Sequence, residues 1–177
     1  REHYPKVRIS VSSGNSATIL KSLLAYESDV GVLSDHDPDH RLFTRIHDSH
    51  FIVAIVSQDH PWAERKNIRL ADLDKQPMVL REVGSNTRRA FEAAVVEAGV
   101  APDVTLEIES GEAVREAVAN GHGVGVYGEL SLPSDPRLKA LPFVDVEMKI
   151  NRYLACLKER RNEHLVEAFF NVASPNR

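Results

Sequence analysis

Short apolar runs alternate along the chain with segments in which apolar residues recur every three or four positions. Residues 7–12 alternate apolar and polar side chains, as is typical of a half-buried strand. Gly14, Asn15 and Ser16 then predict a turn and a helix cap, and residues 19–24 carry apolar side chains at helical spacing. The pattern therefore predicts a strand, a polar turn and a helix, in that order.

The same succession recurs twice further along. An apolar run at residues 77–80 leads to a candidate cap at Ser85 and to a helical pattern that Gly99 ends. Residues 104–108 predict another strand, and Ser110 predicts the cap of the helix that follows. A strand that turns directly into a helix leaves free N–H groups and a positive dipole end at the strand's carboxyl end. Each of these three turns could therefore hold an anion.

The remaining pattern completes an α/β arrangement. Residues 133–141 are rich in turn residues and predict a loop, and the glycines around Gly123 predict that another group approaches the backbone closely. Because strands alternate with helices, we expect mostly parallel sheets with right-handed crossovers and ligands beyond the carboxyl ends of the strands. Further elements are predicted as strands at residues 29–33, 51–56, 123–127 and 149–157, a short helical turn at 70–73 and a helix around 165–170.

Composition and charge restrict the class of protein. At 177 residues the chain has room for one sizeable domain or two small ones. Its formal charge of −4 is unlike that of a domain that binds the phosphates of nucleic acids. We find no apolar span of membrane length and no signal-peptide pattern, so we expect a cytoplasmic protein with no membrane partner. Cys156 lies in an apolar run and is expected to be buried.

The sequence contains only weak signals for a catalytic or metal-binding site. No Gly-x-Ser-x-Gly turn and no His-x-x-x-His pair on a predicted helix occurs, so we predict no enzyme, no metal site and no cofactor. Glu107, Glu109 and Glu112 could act as paired carboxylates, but their place at a strand end and a helix start fits the helix dipole better. One further group of side chains could form either a chance metal site or, as the pattern favours, a solvated connector: His36, His40, His47 and His50 with Asp35, Asp37 and Asp39.

A binding constellation remains. Hydroxyls, amides and backbone N–H groups recognise an oxyanion without reacting with it, and Arg81, Arg88 and Arg89 add positive charge nearby. Arg88 and Arg89 also fit a solvent-facing first helical turn. The candidate effector-binding residues are Asn15, Ser16, Ser85, Asn86, Thr87, and Val124 and Tyr127 of the glycine-rich strand.

Short motifs in a fixed order are spread over nearly the whole chain. They are Tyr4-Pro5, Gly14-Asn15-Ser16, Asp29-Val30-Gly31-Val32, His60-Pro61-Trp62-Ala63, Leu73 with Pro77, Arg81-Glu82 with Gly84-Ser85 and Thr87-Arg88, and Gly121-His122-Gly123-Val124. This order resembles the effector-binding domain of LysR-type transcriptional regulators. The resemblance implies two Rossmann-like α/β lobes of periplasmic-binding-protein type II, joined by two crossover strands near residues 51–56 and 149–157.

The resemblance also implies boundaries and partners. Lobe I would comprise residues 1–54 and 149–177, and lobe II residues 55–148. The first strand and helix of lobe I, and the winged helix-turn-helix before them, are expected to be missing, so the domain would be N-terminally truncated. DNA would be bound only through that absent N-terminal domain, and the assembly would be a homodimer or homotetramer.

The resemblance places a small effector between the lobes. Asn15 and Ser16 would serve from lobe I, with Ser85, Asn86 and Thr87 from lobe II. The expected effector is a small anionic metabolite, namely a phosphonate, phosphate, sulfate or carboxylate. A solute-binding protein of a transport system with the same two-lobe fold is the alternative. Three segments, residues 78–82, 110–118 and 156–161, are similar to regulators associated with aminoethylphosphonate breakdown.

Overall fold

The computed structural model describes residues 4–35 and 39–173, so His36 and Asp37 of the possible chance metal site lie outside the described residues. Within them the helices are α1 (Ser16–Leu24), α2 (Asn86–Ala98), α3 (Gly111–Ala119) and α4 (His164–Val172), with 3₁₀ turns at Leu70–Leu73, Glu129–Ser131 and Lys158–Arg160. The strands are β1 (Gly31–Ser34), β2 (Leu42–Ser57), β3 (Pro77–Arg81), β4 (Asp103–Ile108), β5 (Val124–Gly128), β6 (Leu138–Leu141) and β7 (Lys149–Leu157).

One long strand, β2, connects the two halves of the sheet. The described strands follow the order β1-β7-β2-β5-β3-β4, with β6 also paired to β2. Residues 42–51 of β2 pair with β7. Residues 52–57 pair with β5 and β6 instead. The sheet thus changes partners between Phe51 and Ile52.

The expectation of mostly parallel sheets is wrong for the described strands. β2 is antiparallel to β5, β6 and β7, and β1 is antiparallel to β7. Parallel pairing among these named strands is confined to β3 with β4 and β3 with β5. Parallel neighbours need a crossover helix, and α2 and α3 supply it only between β3, β4 and β5. The α/β class itself is confirmed, with a mixed sheet.

Two local predictions are also wrong. Residues 7–12 pair with no other strand in the part of the chain that the structure describes, and Ile9 and Val11 are 65% and 86% exposed. Alternation alone does not make a strand, because the ladder needs a neighbouring strand. The loop predicted at residues 133–141 contains β6, whose Leu138 and Leu141 are buried against β2.

The helices α2 and α3 cover opposite faces of the sheet. Met78 and Leu80 of β3 pack in one cluster with Phe91 of α2, whereas Val79 packs in another with Val114 of α3. Successive side chains of a strand point to opposite faces, so β3 anchors both helices. Their first turns therefore follow strands that end at the same sheet edge.

Cys156 belongs to the apolar cluster that packs α4 against β7. Its side chain is 0% exposed, as predicted from its apolar surroundings. Burial raises the pKa of the Cys156 thiol above its usual value, because the thiolate would lose its hydration. This cysteine is structural.

The close approach of another group to the backbone, predicted at Gly123, is confirmed. It leads us to expect different losses of stability when Gly123 and Gly121 are each replaced by alanine. A Cβ at Gly123 would lie 2.4 Å from the carbonyl oxygen of Pro77, and its φ is +135°. Gly121 also has a positive φ, +81°, but a Cβ there meets no described atom within 4 Å. We expect Gly123→Ala to lower the free energy of unfolding by about 3 kcal/mol or more, and Gly121→Ala by about 1 kcal/mol. Urea denaturation measures both, and equal losses would contradict the contact with Pro77.

Candidate functional site

The first turns of three helices border one cavity. It has a volume of about 690 Å³, and its floor is formed by β2, β5 and β7. Three positive dipole ends therefore converge on the same space. The lining residues are Ser13, Gly14, Asn15 and Thr18 at α1, Arg81, Glu82 and Thr87 at α2, Glu109, Ser110, Gly111 and Glu112 at α3, and Ser34, His50, Val126, Tyr127, Gly128, Ser131, Ile150 and Arg152 on and beside the strands.

Two of the three predicted caps are confirmed. Asn15 Oδ1 accepts a hydrogen bond from the N–H of Thr18 at 3.0 Å. Ser110 Oγ accepts one from the N–H of Ala113 at 3.3 Å. Ser85 stands at the N-cap of α2, but its buried hydroxyl makes no capping hydrogen bond to any described group. The side-chain cap predicted for Ser85 is therefore wrong, although the helix begins where expected.

The seven candidate residues fall into three groups. Asn15, Thr87 and Tyr127 line the cavity. Ser16 and Asn86 lie beside it and bind each other, and Val124, 0% exposed, and Ser85, 5% exposed, are buried. These last four lie outside the cavity wall, as far as the described residues form it.

Polar side chains connect the start of α1 to the start of α2. Asn86 Nδ2 donates to Ser16 Oγ at 3.1 Å and to the carbonyl oxygen of Ser34. Ser16 Oγ in turn accepts from the N–H of Ser34 at 2.9 Å. Asn15 Nδ2 donates to Glu82 Oε1 at 3.2 Å. We call Asn15, Ser16, Ser34, Glu82 and Asn86 the clasp, because they hold the two helix starts together directly.

Of the predicted arginines, Arg81 lies in the cavity wall, Arg88 is part-buried within the fold and Arg89 is exposed. Arg81 lines the cavity, and its Nε and Nη2 donate to Glu82 at 2.8 and 3.1 Å. Arg88 instead binds Glu92, Glu107 and the carbonyl oxygen of Arg81, so its donors serve the fold. Glu107 therefore acts as the partner of Arg88.

Strand residues that no motif marked complete the cavity. Arg152 on β7 donates from Nε to Asp48 Oδ1 at 2.7 Å and from Nη1 to Ser131 Oγ at 3.3 Å. His50 on β2 also lines the floor. A polar residue within a strand pattern ordinarily indicates the exposed face of the strand, so no sequence signal marks His50 or Arg152 as a cavity residue.

The cavity carries charges of both signs. Arg81 and Arg152 line it together with Glu82, Glu109 and Glu112. Burial alone would raise the pKa of Glu82, but hydrogen bonds from Arg81 and Asn15 outweigh burial and hold that pKa below its usual value. The carboxylate therefore stays ionised at neutral pH, and a bound anion would meet it.

Neither a metal-binding cluster nor a membrane-spanning helix occurs in residues 4–35 and 39–173. No group of three or more His, Cys, Asp or Glu side chains there could hold a metal ion. None of the helices described is long and apolar enough to cross a membrane.

Comparisons with known proteins give a family and a fold. A family model described as the LysR substrate binding domain matches residues 1–175. The HTH-type transcriptional activator CmpR of Synechocystis sp. is 33% identical over 147 residues, which are 83% of this chain and 48% of that protein. The HTH-type transcriptional regulator CysL of Bacillus subtilis is 30% identical over 133 residues, 75% of this chain and 44% of that protein. The chain thus spans about half the length of these relatives.

Solved structures agree with the fold. The regulatory domain of CcmR from Synechocystis PCC6803, in complex with 2-PG, matches with a TM-score of 0.85 and 26% identity over 97% of this chain and 84% of that chain. The cofactor-binding domain of the Cbl transcriptional regulator matches with a TM-score of 0.86 and 21% identity, covering 98% and 78%. The predicted two-lobe α/β fold of periplasmic-binding-protein type II is confirmed.

The clasp can be tested through stability. We expect Asn86→Ala to lower the free energy of unfolding by about 1–2 kcal/mol, because it removes part-buried hydrogen bonds between α2 and the first helix and strand. Asn120→Ala is the control, since among the described residues its exposed side chain binds only Glu116, on the helix that Asn120 caps, and we expect a change within about 0.5 kcal/mol. Denaturant titration distinguishes the two; similar small losses would argue against the clasp.

Proposed function

The chain belongs to the LysR substrate-binding domain family, and from this premise we propose that it is the effector-binding part of a transcription regulator. Its effector is a small anionic metabolite that binds in the cavity bordered by the starts of α1, α2 and α3. The observation that carries this proposal is the convergence of three helix N-termini with two arginines on one cavity. The relatives named above are transcription regulators, and the CcmR domain is in complex with 2-PG.

The energetics favour an anion despite the carboxylates. A helix N-terminus contributes about 0.3–1 kcal/mol to an exposed anion and up to about 2 kcal/mol to a partly buried one, and here three act together. A hydrogen bond from an arginine to the ligand would contribute roughly 1.5–3 kcal/mol. Glu82 and Asp48 offset part of the arginine charge, but they also fix the direction of both guanidinium groups. At the start of α2, Ser85 makes no capping hydrogen bond. No described side chain therefore caps the N–H groups of this first turn in competition with an anion.

Within the proposed site we assign direct effector contact to Asn15, Thr87 and Tyr127, together with Arg81 and Arg152. The hydroxyl and amide groups give direction, and the arginines give charge. Ser16 and Asn86 act through the clasp and set the spacing of the two helix starts. Ser85 and Val124 are buried, and we assign them no direct contact with the effector.

The finer proposal is an effector that carries an amine as well as an anionic group, as aminoethylphosphonate does. What supports it is the presence of Glu82, Glu109 and Glu112 in the same cavity as the arginines. A simple dianion would gain nothing from these carboxylates, whereas an ammonium group would pair with them.

Signalling would follow from lobe closure. We place lobe I at residues 1–54 and 149–177 and lobe II at residues 55–148, in keeping with the change of pairing along β2 between Phe51 and Ile52. An effector that contacts both lobes favours the closed arrangement. The regulator would act as a homodimer or homotetramer and bind DNA through a domain outside this chain. A transport solute-binding protein is less favoured, because the curated relatives described above are named regulators.

An anion panel tests the function. We expect sulfate, phosphate, aminoethylphosphonate or 2-PG at one hundred times its Kd, on the order of 2.7 kcal/mol of added stability, to raise the melting temperature by roughly 5–10 °C. Thr87→Val, which removes a cavity hydroxyl at the start of α2, should weaken that ligand about tenfold. Thr105→Val is the matched control, because its hydroxyl binds the carbonyl oxygen of Met78 away from the cavity. No shift with any member of the panel would refute the anionic effector.

A pair of ligands tests the amine. Aminoethylphosphonate and propylphosphonate share the phosphonate group, but only the first carries an ammonium group. We expect aminoethylphosphonate to bind at least about tenfold more tightly, and Glu82→Gln to remove most of that preference. Glu97→Gln, on the exposed side of α2, should preserve it. Calorimetric titration of the three proteins with the two ligands gives the six dissociation constants. Equal affinities of the wild-type protein for the two ligands would contradict the amine and support only a simple anionic effector.

A further inference from the structure

His50 is a buried, titratable group in the cavity floor that the clasp and the arginine pairs do not use. It lies on β2 opposite Ile150 of β7, and its side chain is only 4% exposed. The ring packs against Gly128, where a Cβ would lie 2.3 Å from Nε2. His50 and Gly128 both line the cavity, and Nε2 is the ring atom nearest to the position of that Cβ. Any side chain at position 128 would collide with the imidazole ring of His50 in its present position.

The other ring nitrogen lies beside a carboxylate. Nδ1 is fully buried and is 3.6 Å from Asp48 Oδ1, and it has no hydrogen-bond partner among the described residues. The pKa of Asp48 is held below its usual value, chiefly by its hydrogen bonds to Arg152, so Asp48 is ionised at neutral pH. A buried ring nitrogen next to a carboxylate is stable there only as an N–H donor.

All the elements around His50 contribute charge or titratable groups. Burial, and after it the positive charge of Arg152 on β7, lowers the pKa of His50, and these effects exceed the opposing effects of Asp48 and of Asp35, which follows β1. His47 on the same strand faces the same Asp48 carboxylate, with Nε2 3.6 Å from Oδ2. From β5 and the turn after it, the titratable neighbours of Gly128 are Tyr127 and Glu129.

We propose that His50 is a direct contact of the effector anion and takes up a proton when that anion binds, an inference that rests on the proposed function. A neutral imidazole has one N–H group. Asp48 beside Nδ1 and an anion beside Nε2 are both acceptors, and only a ring protonated on both nitrogens can donate to both. The bound anion therefore brings a proton with it.

The direction of the pH dependence follows. In the free protein the lowered pKa keeps the ring neutral at neutral pH, and an adjacent anion raises that pKa. Between the free and the bound pKa, binding is coupled to proton uptake, so the anion binds more tightly as the pH falls. Each proton taken up changes Kd by up to about tenfold per pH unit. A ring that served only to fill space against Gly128 would give no such dependence.

Calorimetric titration with sulfate, whose own charge stays constant, tests this between about pH 5.5 and 8. Phosphate is the second probe, with its own titration subtracted. We expect Kd to rise with pH by up to about tenfold per unit, and buffers of different ionisation enthalpy to report uptake of up to one proton per anion bound. His50→Gln retains an N–H donor but does not titrate, so its Kd should be independent of pH. His122→Gln, at an exposed position outside the cavity, should behave as the wild-type protein.

The outcomes separate this inference from the proposed function. If neither probe nor any other anion of the panel binds, both fail. If an anion binds the wild-type protein with a pH-independent Kd and without proton uptake, only the role of His50 is overturned. A pH dependence that persists in a folded His50→Gln variant overturns it as well. If circular dichroism shows that His50→Gln does not fold, the proton count of the wild-type protein in two buffers decides.

Discussion

The antiparallel pairing of β2 with β7 is the interaction on which the rest of the structure depends. It runs from Leu42 opposite Leu157 to Phe51 opposite Lys149, with one irregularity between Ile46 and Asp48. In this register Asp48 lies opposite Arg152, and the ion pair between them is a cross-strand contact. A slip of one residue would turn these side chains to the opposite face, so the register sets the chemistry of the cavity floor.

Local features of the fold could be predicted from the sequence, and non-local ones could not. The caps at Asn15 and Ser110 depend on residues three positions away, and both are found where their motifs place them. The short strand β6 depends on β2, far away in the chain, and its two buried leucines give too weak a pattern to distinguish from a loop. Residues 7–12 show the converse, because their strand pattern is strong and yet no described strand lies beside them.

The candidate site divides in the same way. Polar residues at a helix start, such as asparagine, serine and threonine, predict a position at the edge of the sheet. Asn15 and Thr87 lie there and line the cavity. Whether such a side chain faces a ligand or another helix start depends on how α1 and α2 meet, and for Ser16 and Asn86 the nearer partner is the other helix. His50 and Arg152 are brought together by pairing between distant strands, so no local motif could identify them.

The paired arginines restrict the geometry of any ligand more than its charge. Both ion pairs are part-buried, so a ligand that displaced Glu82 or Asp48 would lose the stabilisation that the displaced pair contributes. An effector is therefore expected to add to these pairs and use donors that they leave over. Arg81 binds Glu82 through Nε and Nη2, and its Nη1 lies 3.4 Å from the position a Cβ would take on Gly111, at the start of α3. Because Gly111 has no side chain, a ligand that accepted from this remaining donor would lie against the N-terminus of α3, and a compact oxyanion would fit that arrangement better than an extended one.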